Sequence, residues 1–161
     1  MSAFTFSDSI FTGGFIMKAL VCSVCGYVHL QDTAPEKCPV CGAPSKVFNL
    51  KEDGLKTKTD IVTAGESEKK HLPFITVETK NCCGQQPCHE IRAKIGEITH
   101  PMTPEHSILR IVFYADKNFI GYTSLTPSLN PVGAICVTNI ENKKISVVAL
   151  CNIHGSWLSE L

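Results

Sequence analysis

The chain has 161 residues, room for one medium-sized domain or two small ones. Its 15 Lys and Arg balance 15 Asp and Glu, so a formal net charge of zero offers no bulk attraction to nucleic acid. No apolar run approaches the length needed to cross a bilayer, and no membrane partner is expected.

Residues 1–16 are apolar and hydroxyl-rich, with no Lys or Arg before Lys18. They lack the positive n-region of a secretory signal and are read as a tail without assigned function. Met17-Lys18-Ala19-Leu20 looks like a natural start just ahead of the first motif.

Nine cysteines are many for this length. Secreted disulfide frameworks use scattered pairs, whereas reducing compartments use Cys-x-x-Cys clusters for metals. Four of the nine form two such clusters, Cys22-Ser23-Val24-Cys25-Gly26 and Cys38-Pro39-Val40-Cys41-Gly42, and a fifth opens a Cys-x-x-His turn. The chain is therefore expected to be cytoplasmic, reduced and metal-loaded. The two clusters read as paired knuckles, in which the glycine lets the backbone turn so that amides point at the sulfurs. Four thiolates make a closed tetrahedral shell suited to zinc or to a single iron. A segment of this size (residues 17–50) is too short for its own apolar core and depends on its metal. His29 within it is expected at the surface.

Residues 51–65 are polar and charged and read as a linker. Beyond Pro73 come short apolar or alternating runs at residues 74–77, 90–95, 108–114, 121–125, 133–137 and 145–150. They are rich in β-branched residues and punctuated by Gly, Pro, Asn and Asp, which predicts strands. Strands at this spacing without amphipathic helices between them imply an all-β sandwich or barrel over residues 66–161. Cys136, inside an apolar run, is expected to be a buried small hydrophobe.

Three patches in this half carry metal-ligand chemistry: Lys70-His71-Leu72-Pro73, His100-Pro101-Met102-Thr103-Pro104-Glu105-His106, and Cys151-Asn152-Ile153-His154-Gly155. Together they supply four imidazoles and one thiolate, enough for a redox metal with one position open. Each patch lies at a strand end, where loops of a rigid sandwich converge. Pro101 and Pro104 stiffen the His-x5-His loop and limit the entropy lost on ligation. Met102 is expected to pack against the sandwich.

These three patches, in this order over residues 66–161, resemble the superoxide reductases (neelaredoxin and desulfoferrodoxin). The resemblance implies an immunoglobulin-like β-sandwich holding a mononuclear iron with His71, His100, His106 and His154 as equatorial ligands and Cys151 as the axial one. It implies one-electron reduction of superoxide to hydrogen peroxide and, frequently, a homo-oligomer. Lys70 matches the lysine that precedes the first histidine in the family, and is expected to attract superoxide. The family's glutamate, a sixth ligand of the oxidised resting state, would stand where this chain has Lys69; Glu68 lies one residue earlier. The string Cys25-Gly26-Tyr27-Val28-His29, with Ala34-Pro35-Glu36-Lys37-Cys38 onward and Phe48, resembles the rubredoxin-like domain of rubrerythrins. That favours iron over zinc at Cys22, Cys25, Cys38 and Cys41, and implies a rubredoxin or a rubredoxin reductase as electron donor.

Cys82, Cys83 and Cys88, with His89 beside them, have no place in that motif, and inert thiols, a redox disulfide or a third metal remain open for them. Three alternatives stand beside the main reading. A dismutase would differ by product stoichiometry, an electron carrier by failing to react with superoxide, and a zinc-bound structural module by lacking iron and colour.

Overall fold

The computed structural model describes residues 16–58, 65–80 and 88–161. Three strands belong to the cysteine-rich part: β1 (Ile16–Cys22), β2 (Val28–His29) and β3 (Phe48–Lys56). A short α-helix, α1 (Glu66–His71), then leads into β4 (Pro73–Lys80) and β5 (Cys88–Ile95). Strands β6 (Ile108–Ala115), β7 (Asn118–Ser124), β8 (Val132–Val137), β9 (Ile145–Cys151) and β10 (Gly155–Glu160) follow. The six runs expected as strands are β4 to β9. β10 was not expected; it folds back on β9, with Gly155 opposite Cys151 and Trp157 opposite Ala149.

Two sheets face each other, a three-stranded one in the order β4-β5-β8 and a seven-stranded one in the order β2-β1-β3-β10-β9-β6-β7. Between them Ile91, Ala93 and Ile95 of β5 meet Ile111 and Phe113 of β6 and Val147 and Ala149 of β9. The all-β sandwich is as expected. Strands β6 and β9 read as near-continuous apolar runs because both of their faces are covered. Val112, Tyr114 and Val148 point away from the sandwich core and pack with Tyr27, Val28 and Leu55 of the cysteine-rich part. The Tyr27 and Tyr114 rings stack with centroids 6.2 Å apart, and the Tyr114 hydroxyl donates to the Val28 carbonyl. The metal-dependent part thus borrows its apolar core from the back of the sandwich.

Three expectations need correction. Residues 51–56 are not linker but the second half of β3, pairing with β1 on one side and, at Lys56, with Trp157 of β10 on the other. Their charges sit on an exposed face, which is why composition alone suggested a spacer. Cys136 is exposed, because β8 alternates and it is Ile135 and Val137 that turn toward the core. His29 is half-buried, its Nδ1 3.4 Å from the Tyr27 hydroxyl. Cys88 is disulfide-bonded and so is not the free thiol that one reading allowed. Cys82, Cys83 and most of the expected tail lie outside the described residues. Among the described residues no helix is long and apolar enough to cross a membrane.

Helix α1, just beyond the expected linker, was not expected; it lies in the charged run Glu66-Ser67-Glu68-Lys69-Lys70. Glu66 and Glu68 lie in its first turn and Lys69 and Lys70 in its last, both favourable to the helix dipole. Glu66 and Lys70 form an i,i+4 pair at 2.5 Å in the better orientation. Pro73 ends the helix by forcing Leu72 into an extended conformation.

Candidate metal centres

The four-cysteine centre is made by two copies of one turn. The Gly26 amide donates to the Cys22 carbonyl and the Gly42 amide to the Cys38 carbonyl, each at 2.8 Å, and both glycines have φ +75°. A side chain would be strained there. The turns bring Cys22 Sγ to 3.7 Å from Cys41 Sγ and Cys25 Sγ to 3.7 Å from Cys38 Sγ, with all four sulfurs within 4.8 Å of one another. An edge of that length belongs to a tetrahedron whose corners lie about 2.3 Å from its centre, the metal–sulfur bond length. The Ala43 amide directed at Cys41 holds that exposed thiol down to about 7, which readies it for ligation. Cys41 faces solvent, whereas Cys22 and Cys38 are buried.

The second centre is assembled from three distant segments. His71 closes α1, His100 and His106 bracket the loop before β6, and Cys151 and His154 form the turn between β9 and β10. The imidazoles stand around a square: successive ring centroids of His71, His100, His106 and His154 are 4.6, 4.6, 4.8 and 4.7 Å apart, nearly edge to face. The His71–His106 diagonal is 6.0 Å. His71, His100, His106 and Cys151 offer donor atoms within 4.8 Å of one another. His154 joins them, its Nδ1 3.1 Å from His106 Nε2 and 3.7 Å from Cys151 Sγ.

Which ring nitrogen faces inward is set by backbone carbonyls. His71 Nδ1 donates to Ser67 O and His100 Nδ1 to Pro101 O, both at 2.6 Å. That leaves each Nε2 lone pair turned into the square, buried and without a hydrogen-bond partner. Two orphaned acceptors beside a buried thiol are costly unless an ion joins them. Burial pushes both imidazoles down to about 4, into the neutral form a metal binds. The residues present therefore fit a redox metal.

Residues outside the expected set hold this arrangement. Asn152 ties two ligand loops together: its Oδ1 accepts from the Ser107 amide at 3.0 Å and its Nδ2 donates to the Glu105 carbonyl at 3.0 Å. Trp157 stacks on His71, centroids 4.9 Å apart and planes 18° apart. Lys56, from the last residue of β3, donates to the His154 carbonyl at 2.8 Å and sits 5.2 Å from the Trp157 ring centroid. Asn152 lies inside the third sequence patch and Trp157 two residues beyond it, so both could have been flagged there. Lys56 is 98 residues from His154, and nothing local announces it. Met102, as expected, packs against the sandwich core, and its sulfur accepts from the Ile108 amide.

The proposed non-ligand residues are placed on α1. Lys70 pairs with Glu66 and is one-third exposed, and its charge helps lower the affinity of His106 for a proton. Glu68 caps the helix: its Oε2 accepts from the Gly65 amide at 3.1 Å. Gly96 (φ +87°) supports the helix from below, where a Cβ would collide with the Ile98 and Lys70 carbonyl oxygens. Its amide donates to the Leu72 carbonyl at 3.0 Å.

Residues 63–160 match the sequence profile described as desulfoferrodoxin. The chain belongs to the desulfoferrodoxin family. Residues 21–49 match separately the rubredoxin-like domain of rubrerythrin. A desulfoferrodoxin homolog of Archaeoglobus fulgidus is 27% identical over 145 residues, 89% of this chain and 97% of that one. A superoxide reductase of Pyrococcus abyssi is 30% identical over 114 residues, 63% of this chain and 95% of its own. The crystal structure of the superoxide reductase from Treponema pallidum shares the fold with a TM-score of 0.54 at 23% identity, covering 87% of this chain and 98% of that one. The chain thus joins a desulfoferrodoxin-family sandwich to a rubredoxin-like segment of the rubrerythrin type.

Proposed function

We propose that the protein is a superoxide reductase, taking one electron and two protons per superoxide to give one hydrogen peroxide. The observation that carries this reading is the square of four imidazoles closed by the buried thiolate of Cys151. Iron held by these five residues would supply the one-electron chemistry, with the Cys151 thiolate donating electron density to it.

The chain's own groups shape the rest. His71 and His100 are held by Ser67 and Pro101 so that they bind without first losing a proton. Lys70, one residue before His71, draws the anion toward the site and stabilises negative charge growing on it. Glu68 caps the helix that carries both, so a place for it as resting-state ligand requires that first turn to open. Cys22, Cys25, Cys38 and Cys41 would hold a second iron able to take up one electron, and there Cys41 and Val24 are exposed to a donor such as a rubredoxin or a rubredoxin reductase. Its iron-binding cysteines suit the reducing cytoplasm, and the working assembly is a homo-oligomer.

The test is anaerobic reduction of the purified protein followed by measurement of peroxide formed and superoxide consumed. One peroxide per superoxide without dioxygen supports the reading. One peroxide for every two, with dioxygen released, indicates a dismutase, and no reaction indicates a carrier.

A further inference from the structure

The cysteine-rich part touches the sandwich at the strand that bears the catalytic thiolate. Arg110 Nη1, on β6, donates to the Cys25 carbonyl at 3.0 Å. Its Nε is buried without a partner, and its Cζ lies 5.5 Å from the Tyr122 ring centroid, so the guanidinium is committed to this place. Arg110 stands directly across from Leu150 in the β6–β9 register, and Leu150 is bonded to Cys151. Leu150 also meets the knuckle: a Cβ on Gly26 would lie 3.1 Å from Leu150 Cδ2. A register shift between Ile108 and Arg110 puts Leu109 out of the ladder and bends β6 at this point.

Two adjoining contacts therefore link a sulfur of one centre to the sulfur of the other. From Cys25 the path runs through its carbonyl to Arg110, or through Gly26 to Leu150, and then along the backbone to Cys151. The rest of the link is covalent or ladder-bonded. Gly26 is required twice over, for its φ of +75° and for the close approach to Leu150.

We infer that the electron passes between the two centres of one chain across this contact, with Arg110 and Leu150 as the positioning residues. The inference rests on the superoxide reductase reading for the identity of the two irons. One electron leaves the four-cysteine iron, ferrous to ferric, and one arrives at the five-ligand iron, ferric to ferrous; no bond is made or broken. Arg110 also sets the driving force, because its positive charge beside Cys25 favours the more negative, reduced form of the four-cysteine iron.

The experiment is flash photoreduction of the fully oxidised protein with a deazaflavin radical, in the absence of superoxide, following the absorption of both irons. The expected result is a first-order transfer whose rate does not change with protein concentration. Arg110→Met should slow it several-fold and lower the potential of the four-cysteine iron, and Arg110→Lys should restore part of both. Leu150→Ala should slow it without moving that potential, and serves where Arg110→Met fails to fold. A readout that needs no turnover is amide exchange at residues 24–27 of the protein carrying zinc in its four-cysteine centre, which Arg110→Met should accelerate. A rate that rises in proportion to concentration would place transfer between chains and overturn the inference. So would unaltered transfer in both Arg110→Met and Leu150→Ala. Because superoxide is absent, failure here leaves the peroxide stoichiometry of the unaltered protein to judge the catalytic reading by itself.

Discussion

The four-cysteine centre and the histidine centre of this chain are built in opposite ways. The first takes all its ligands from residues 22–41, two on each of two turns that repeat one hydrogen-bond pattern. The second gathers residues 71, 100, 106, 151 and 154 and takes its geometry from the ends of β4, β6, β9 and β10. A local site carries its own shape and needs the sandwich only for apolar cover. An assembled site has no shape without the sheet, and its support comes from residues that never touch a metal. Damage should therefore stay contained in the first and spread in the second.

The largest effect expected is from Cys151→Ala, which removes the thiolate and leaves the square open on its buried side. Superoxide reduction by the pre-reduced protein should vanish while the spectrum of the four-cysteine iron persists. Full first-turnover activity in that variant would mean the thiolate is not a ligand. Cys38→Ala is its counterpart. It should abolish the head's metal and steady-state turnover yet spare the first turnover of pre-reduced protein, because the square lies on another set of strands. A parallel loss of histidine-centre iron, read by elemental analysis, would show that the two centres are not separable in this way.

Gly96→Ala sharpens the comparison from the supporting side. The added methyl must enter a left-handed backbone position and press on the Lys70 carbonyl, at a cost of roughly 1–3 kcal/mol. The expected outcome is a fall in Tm of several degrees, at roughly 2–4 °C per kcal/mol for a domain of this size. Iron should be lost selectively from the histidine centre, since His71 follows Lys70. Equal iron loss from both centres would count against the assembled character of the second.

Lys56→Met is subtler. It removes a charged hydrogen bond to the His154 carbonyl and a cation over Trp157, together about 1–3 kcal/mol. Absorption and potential of the histidine centre should shift while those of the four-cysteine centre stay fixed, and Lys56→Arg should recover part of the shift. An unmoved spectrum would assign Lys56 to sheet edge alone.

The same contrast explains what could be read from the sequence. Candidate ligands could be named at both centres, from Cys-x-x-Cys spacing at the first and, at the second, from the Cys-x-x-His turn together with the family resemblance of the three patches. The strands β4 to β9 were legible because alternation and β-branching persist over four to seven residues between turn-forming residues. The β3 strand was not, since Lys51, Glu52 and Asp53 mark an exposed face and the partners that make it a strand are non-local: β1 along most of its length and Trp157, 101 residues away, at Lys56. Helix α1 was masked by its own charges, Glu66, Glu68, Lys69 and Lys70, which are an i,i+4 pair and dipole-matched ends when seen in three dimensions. Cys136 was misplaced because apolar neighbours on both sides conceal which side of the alternation faces in. Lys56 and Arg110 act through backbone carbonyls, and a residue that reads another's main chain leaves no pattern in its own neighbourhood.

The smallest predicted effect concerns Glu66. Its carboxylate accepts from Lys70, and that contact holds it below the usual carboxylate range. A depressed folded-state value means that the pair contributes above the ordinary carboxylate range and is lost as pH falls through the depressed one. Glu66→Gln imitates the low-pH condition at neutral pH, freeing the Lys70 ammonium without removing it. If Lys70 steers superoxide, the second-order rate should rise by no more than about twofold, the scale of one screened surface pair, and the gain should disappear in high salt. Lys70→Met should move the rate the other way and abolish its salt dependence. A fall in rate on Glu66→Gln would mean that the pair, rather than the free ammonium, is the working state, with Glu66 holding Lys70 in position at the edge of the square.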